Sequence, residues 1–294
     1  MINKIFKRFK PAYVIIAAFI CITFLYTTDK NITIKAKQGN KHMESSYKYL
    51  DNDLKARRIK IIAHRATYFS EPENSLNAIN DSIRHKVDYA EIDVQETRDG
   101  VVVLMHDKNL KRLTGLDSEV SNLNFNQIEK LNIASRYPSG HKREKIPTLN
   151  EAIKRSKGKL KLIIEIKPYG NTNDLTRRVV EIINKNKFVK QCLVHSMSYR
   201  ILLEVKQLNP KIKTGYIVYR PMTNLTALNV DFYSVEQRAV TKNLVMQIHK
   251  LHRNIYSWTV DKPMYMDNML KLHVDGIITD KPSILMDAKK SIHL

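Results

Sequence analysis

From Ile59 onward, short apolar and β-branched runs alternate with longer segments of helical period, and this rhythm constrains the fold more than any other feature of the chain. Eight runs centre on Ile61–Ile62, Tyr89–Ile92, Leu162–Ile166, Cys192–His195, Thr214–Ile217, Phe232–Val235, Ile255–Trp258 and Gly276–Ile278. Helical patterns fill most intervals: Asn74 to His85, Leu149 to Ser156, Asp174 to Asn186, Tyr199 to Leu208, Lys242 to Leu251, Met264 to Leu270 and Ser283 to Lys290. Strands that are apolar on both faces and separated by helices are what a covered parallel sheet requires. Eight βα units predict an α/β fold, a closed TIM (β/α)8 barrel. The interval around Pro221-Met-Thr-Asn reads as a loop.

One further apolar run, Val101 to Met105, follows Asp99-Gly100 too closely to be a barrel strand. It reads as the return arm of a hairpin in the second βα loop. The stretch from residue 107 to 147 lengthens that loop into a small insertion, and long loops of barrels carry function.

Ahead of the barrel the chain changes character. Lys4, Lys7, Arg8 and Lys10 precede an uncharged, mostly apolar stretch from Pro11 to Thr28, whose eighteen residues would span roughly 27 Å as a helix, near the lower limit for crossing a bilayer. No small-residue cleavage site follows Tyr26, so an uncleaved N-terminal transmembrane helix is expected over a signal peptide. Residues 1–28 then form a basic flank and anchor, 29–58 a polar tether, and 59–294 the barrel domain. The basic flank stays in the cytoplasm and the barrel lies outside the cell membrane. Cys21 falls in the anchor and Cys192 in a strand pattern, so no disulfide between them is expected.

The chain carries 50 Lys and Arg against 29 Asp and Glu, a formal charge of +21. Residues 1–30 hold five basic residues and one acidic, which leaves +17 on the remainder. Basicity is thus a property of the main domain. No zinc-finger spacing, basic zipper or aromatic RNA motif accompanies it, so no nucleic-acid partner is expected. Anionic lipid headgroups or phosphate-rich polymers suit an outward-facing basic domain.

Barrel enzymes collect their chemistry at the C-terminal ends of the strands. Those ends here carry His64-Arg65, Glu91 and Asp93, Glu165 and Lys167, His195-Ser196, Trp258, and Asp275 with Asp280. Glu91 and Asp93 stand two apart and share one face of their strand, and Glu165 with Lys167 repeats the spacing one strand over. Three inward carboxylates repel one another unless a cation neutralises them, and oxygen ligands suit Ca²⁺ or Mg²⁺. A second reading of the same spacing pairs Glu165 with Lys167 and leaves Glu91 and Asp93 facing water. His64 and His106 flank the carboxylates in sequence; imidazoles titrate near neutrality and move protons either way. Arg65 and Lys167 supply fixed positive charge for a phosphate. These parts suit phosphoester cleavage, with one His activating the attacking hydroxyl or water and the other protonating the leaving alkoxide. Spacing does not say which does which.

The same residues closely resemble the glycerophosphodiester phosphodiesterase family. Its opening pattern, His-Arg-Gly and then Pro-Glu-Asn-Thr, stands here as His64-Arg65-Ala66 and Pro72-Glu73-Asn74-Ser75. Its second pattern is present as Glu91-Ile-Asp93-Val94-Gln-Glu-Thr97-Arg-Asp99-Gly100, then His106-Asp107. Leu113-Thr-Gly115, Pro147-Thr-Leu149-Asn-Glu151, Glu165-Ile-Lys167-Pro168, Trp258-Thr-Val260 and Asp275-Gly-Ile-Ile-Thr279-Asp280-Lys-Pro282 follow in the family's order. The resemblance implies a TIM barrel that hydrolyses glycerophosphodiesters to glycerol phosphate and an alcohol. It implies that His64 and His106 are the general acid and base, that Glu91, Asp93 and Glu165 ligate a divalent metal, and that Arg65 and Lys167 neutralise the phosphate. Two alternatives keep the same residues: phospholipase-D-like cleavage of lysophospholipid or glycerophosphate wall polymer, and a pseudoenzyme that binds such anions without cleaving them. Trp258 reads equally as substrate wall or as barrel core. Ala66 departs from the family's Gly, where an unusual backbone angle is expected.

Overall fold

A computed structural model describes residues 59–67, 71–137, 142–222 and 224–291. The expected anchor and tether, residues 1–58, lie outside the described residues, as does part of the insertion, residues 138–141. Among the described residues no helix is long and apolar enough to cross a membrane.

The strands are β1 (Lys60–Ala63), β2 (Tyr89–Glu96), β3 (Val102–Leu104), β4 (Lys161–Ile166), β5 (Cys192–Ser196), β6 (Lys213–Val218), β7 (Phe232–Glu236), β8 (Asn254–Trp258) and β9 (Gly276–Thr279). All except β3 pair in parallel, in the order β1-β2-β4-β5-β6-β7-β8-β9, and β9 returns to β1. Eight parallel strands therefore close into a TIM barrel, as the alternation predicts. β3 pairs antiparallel with β2, Val94 opposite Leu104, and is the expected return arm of a hairpin.

The long helices are α1 (Leu76–Arg84), α2 (Leu149–Ser156), α3 (Thr172–Lys185), α4 (Tyr199–Leu208), α5 (Lys242–Lys250), α6 (Pro263–Lys271) and α7 (Pro282–Ser291). Between β6 and β7 the described residues form only a 3-10 turn, Leu225–Ala227, where the sequence reads as a loop. α1 starts two residues later than its pattern suggests. Asn74 is left-handed, with φ 56, and Ser75 becomes the N-cap, its hydroxyl accepting from the Ala78 amide. α2 opens on a capping box between Thr148 and Glu151.

Strand periodicity divides the core in two. One set of alternate residues, including Ile61, Ala90, Ile92, Ile164 and Val194, packs outward against the helices. The other set, Ile62, Ile163, Leu193, Phe232, Tyr256 and Ile278, fills the barrel interior. Burying each aliphatic side chain of this kind stabilises the fold by about 1.5–3 kcal/mol. Gly215 is required inside, because a Cβ there would lie 2.2 Å from the Phe232 ring. The insertion has its own small core of Val103, Met105, Leu110, Leu113, Val120, Ile128, Ile133 and Ile146. It is thus a packed platform beside the barrel mouth, held by the same hydrophobic effect as the barrel.

Candidate active site

Moving two residues up each interior row carries the barrel from its apolar layer to its chemistry. Above Ile163 on β4 comes Glu165 and then Lys167; above Leu193 on β5 comes His195. Strand register sets these side by side, Asp93 against Glu165 and Glu165 against His195. Glu91, Asp93, Glu165, Lys167 and His195 are all buried. This corrects the reading in which Glu91 and Asp93 face water.

The carboxylates are held by specific partners. Lys167 Nζ lies 2.8 Å from Asp93 Oδ1 and 2.9 Å from Glu165 Oε1. Asn74 donates its side-chain amide to Asp93 Oδ2 at 2.8 Å and accepts the Asp93 backbone N–H at 3.0 Å. Burial opposes the charge on Asp93, but Lys167, with His106 and Arg65 behind it, overrides this and holds its carboxyl well below the usual range. Glu165 goes the other way. Burial dominates, Lys167 offsets it only in part, Asp93 and Glu91 repel, and its pKa is pushed up to about 7. Ligand-capable atoms of Glu91, Glu165 and His195 lie within 4.8 Å of one another, and His195 Nε2 is buried without a hydrogen-bond partner. A cluster that raises the pKa of one carboxyl and leaves one imidazole nitrogen unmatched is chemically suited to a divalent cation.

His64 and Arg65 sit in a turn directly after β1. Arg65 and Ala66 both have left-handed backbones, φ 51 and φ 61. In this conformation the Arg65 amide donates to Glu91 Oε2 at 2.9 Å and the Arg65 carbonyl accepts from the Asn74 amide at 2.8 Å. The unusual angle expected at the position of the family's Gly is therefore present, and Ala66 adopts it. A left-handed residue other than Gly costs roughly 1–2 kcal/mol, which the surrounding hydrogen bonds offset.

Two acid–histidine pairs face one cavity. His64 Nδ1 lies 2.7 Å from Asp280 Oδ1, and His106 Nδ1 lies 2.8 Å from Asp107 Oδ1. Burial works against the charged form of His64, yet the Asp280 hydrogen bond and the charges of Glu91 and Asp280 outweigh it and raise its pKa. For His106 burial prevails, helped by Lys167 and Arg65 against the pull of Asp93, and its pKa is lowered. The insertion braces this side: Arg112 donates to both oxygens of Glu73, at 2.8 and 2.6 Å, and to Asp107. Glu73 in turn accepts from Arg65 at 2.9 Å. Arg112 so ties His106 and Arg65 to one platform.

His64, Arg65, His106 and Lys167 line the cavity together with Glu91 and Glu165. The rest of its lining combines the apolar Met197, Ile217, Trp258 and Ile278 with His195, Ser234 and Thr259. Trp258 is half-buried there, its Nε1–H donating to the Ser234 carbonyl at 2.9 Å and its ring 6.0 Å from that of Tyr219. Of the residues given a chemical role in the sequence, His64, Arg65, Glu91, His106, Glu165 and Lys167 line this cavity and Asp93 does not. Asp275, expected at a C-terminal strand end, instead precedes β9, where it accepts from the Ile255 amide at 2.8 Å and lies 3.0 Å from His249 Nε2, because the strand starts only at Gly276. The sequence sets His195 at a strand end without assigning it a role, and nothing in it marks Arg112. The inward parity of His195 with Leu193 was the available signal for the first; Arg112 lies in an irregular loop where no periodicity operates.

Paired imidazoles beside a cation-braced carboxylate cluster, at the end of the barrel where enzymes of this fold work, mark the chain as a barrel hydrolase. Residues 64–284 match the model of the glycerophosphoryl diester phosphodiesterase family, and the chain is an enzyme of that family. It is 30% identical over 236 residues to a glycerophosphodiester phosphodiesterase of Caldanaerobacter subterraneus, covering 77% of this chain and 96% of that one. A glycerophosphodiester phosphodiesterase of Bacillus subtilis is 26% identical over 261 residues, with 81% of this chain and 89% of that one covered. Among solved structures, an Oleispira antarctica phosphodiesterase in complex with the product sn-glycerol-3-phosphate is 25% identical with a TM-score of 0.75, covering 79% and 96% of the two chains.

Proposed function

We propose that the protein hydrolyses glycerophosphodiesters to glycerol phosphate and an alcohol, using His64 and His106 as its acid–base pair and a divalent cation. The observation that carries this is the opposition of the two imidazoles around one cavity, one made more basic and the other less. Groups whose environments push their pKa values apart divide acid and base roles between them. Neutral His106, held by Asp107, takes the proton of the attacking water, or of a glycerol hydroxyl whose cyclic phosphate a water then opens to glycerol phosphate. Protonated His64, held by Asp280, gives its proton to the leaving alkoxide. Arg65 and Lys167 carry fixed positive charge to the phosphate oxygens. Glu91, Asp93 and Glu165 are the residues to hold Ca²⁺ or Mg²⁺, which when bound supplies further neutralisation of phosphate charge. The relative's complex with sn-glycerol-3-phosphate supports the same substrate class.

The test is release of glycerol phosphate from a panel of glycerophosphodiesters, followed by phosphorus NMR, with chelator and after return of the cation. Release that stops in chelator and resumes on reconstitution is expected. No release from any headgroup with any divalent cation would remove the proposal and leave the pseudoenzyme reading.

A second reading, phospholipase-D-like cleavage of lysophospholipid, is favoured by the apolar wall. Met197 and Tyr219 are 42% and 52% exposed beside the mouth, placed where an acyl chain leaving the cavity would meet them. Comparison of lysophospholipid, glycerophosphate polymer and small soluble diesters separates the readings. We also assign residues 11–28 to a membrane anchor that holds the barrel outside the cell, on the strength of their uncharged length and basic flank. Barrel that resists alkaline extraction from membranes, and that is cut by protease added to intact cells, would bear this out; release of the chain by alkali would refute it.

A further inference from the structure

We propose that His195 is a nitrogen ligand of the divalent cation, and that this donor tilts the site toward first-row transition ions such as Mn²⁺ or Zn²⁺ over Ca²⁺ and Mg²⁺. The inference rests on the metal-dependent reading above and goes past it, since the family resemblance places only oxygen ligands in the site. Three observations converge on it. His195 is 3% exposed, and its Nε2 has no hydrogen-bond partner; the nearest acid, Glu91 Oε1, stands at 3.6 Å. A structural histidine in a barrel core has both ring nitrogens matched, because an unmatched buried polar atom costs about 1–3 kcal/mol. The unmatched atom also faces the carboxylate cluster, 3.6 Å from Glu91 Oε1, and a ring nitrogen of His195 lies within 4.8 Å of ligand-capable oxygens of both Glu91 and Glu165.

The third observation is the support behind the ring. Nδ1 lies 3.1 Å from Ser234 Oγ on β7, the second strand along from β5 in the barrel. With Nδ1–H donating to that hydroxyl, Nε2 carries the lone pair, the tautomer a metal needs. The ring is further held by Phe232, whose centroid is 6.3 Å away in a stacked arrangement. Orientation by an outer hydrogen bond and by packing is how proteins present an imidazole to a metal. Imidazole nitrogen favours Mn²⁺, Co²⁺ and Zn²⁺ in the order of intrinsic affinity, whereas Ca²⁺ and Mg²⁺ take oxygen.

The test uses the full chain in detergent. Mn²⁺-loaded protein is examined by electron spin-echo spectroscopy for coupling to a directly bound nitrogen, and affinities for Mn²⁺, Zn²⁺, Mg²⁺ and Ca²⁺ are measured by calorimetry. The wild-type protein is expected to show nitrogen coupling that disappears in His195→Gln. His195→Gln should weaken Mn²⁺ and Zn²⁺ by roughly tenfold or more, with Mg²⁺ and Ca²⁺ changed far less. His195→Glu, an all-oxygen variant, should still bind cation and lose the transition-metal preference; circular dichroism and retained Mg²⁺ or Ca²⁺ binding confirm folding. Cation binding without nitrogen coupling, coupling that survives His195→Gln, or equal weakening of all four ions would overturn the role of His195 and leave the metal-dependent reading standing. No cation binding by the wild-type chain would overturn both.

Discussion

The two sides of the barrel mouth are built on opposite principles. The side formed by β1, β2, β4 and β5, joined by Asp280 from the end of β9, is a closed network in which nearly every charged group has named partners: Lys167 between two carboxylates, Asp93 against Asn74, Arg65 against Glu73, and the imidazoles of His64 and His106 each against an aspartate. The side formed by β6, β8 and β9 presents Ile217, Trp258 and Ile278 with few polar anchors. Dense charge networks fix geometry, which proton transfer and phosphate neutralisation need. An apolar wall excludes water and tolerates variation in what packs on it. The division suggests that reaction chemistry is concentrated on the first side and choice of alcohol on the second.

Substitutions can test this division, beginning with the largest effect. His64→Ala and His106→Ala should each lower kcat by about 10²–10⁴. Their pH profiles should differ: loss of His106 removes the limb that rises as the base deprotonates, below pH 6.5, and loss of His64 removes the limb that falls as the acid deprotonates, above it. Identical profiles would undo the assignment of roles.

Arg112→Ala lies outside the cavity lining but should lower kcat by up to about 10²-fold, because it loosens both Glu73 and Asp107. KM for the alcohol portion should stay near the wild-type value. A change confined to KM would place Arg112 in substrate contact instead of in support.

On the proposed metal reading, divalent cation affinity should rise about tenfold per pH unit up to about pH 7 and level off above it, because a cation on Glu165 would have to displace its proton. In chelator the sign for stability is the reverse. A carboxyl whose pKa is raised from 4.5 to about 7 by folding binds its proton more tightly in the folded chain, so stability falls as pH rises through that window. Calorimetric titration and urea unfolding at several pH values check the two halves of this statement.

On the apolar side, Met197→Ala together with Tyr219→Ala should raise KM for lysophospholipid by about tenfold, in line with lost apolar contact of 1–2 kcal/mol, and leave glycerophosphocholine turnover unchanged. Equal effects on both substrates would erase the contrast between the walls. The smallest change is expected from Ala66→Gly. Relief of the left-handed strain and loss of a buried methyl nearly cancel, so stability should move by less than about 1 kcal/mol by urea unfolding. A larger loss would make the Ala66 methyl a packing element of the turn.

Much of the mouth is legible in the sequence. Period-two spacing puts Glu91 with Asp93, and Glu165 with Lys167, on the inner face of the barrel, and both pairs are there. The hairpin arm at Val102–Leu104 and the missing helix before β7 were also readable, from turn residues and from segment length. What escaped was partnership. The sequence allowed Glu165 and Lys167 to pair while Glu91 and Asp93 faced water; in the fold the Lys167 pair forms and both acids are buried as well.

By itself, then, the sequence determined the barrel, the end at which its polar residues gather, and the family, because periodicity and ordered motifs are local properties written along the chain. Tertiary structure alone decided which of those residues touch. Asp280 reaches His64 across 216 positions, and His195 joins Glu91 and Glu165 only through the register of neighbouring strands. Spacing fixes the face on which a side chain projects, whereas its neighbours follow from barrel closure and from how far each intervening loop shifts one strand against the next.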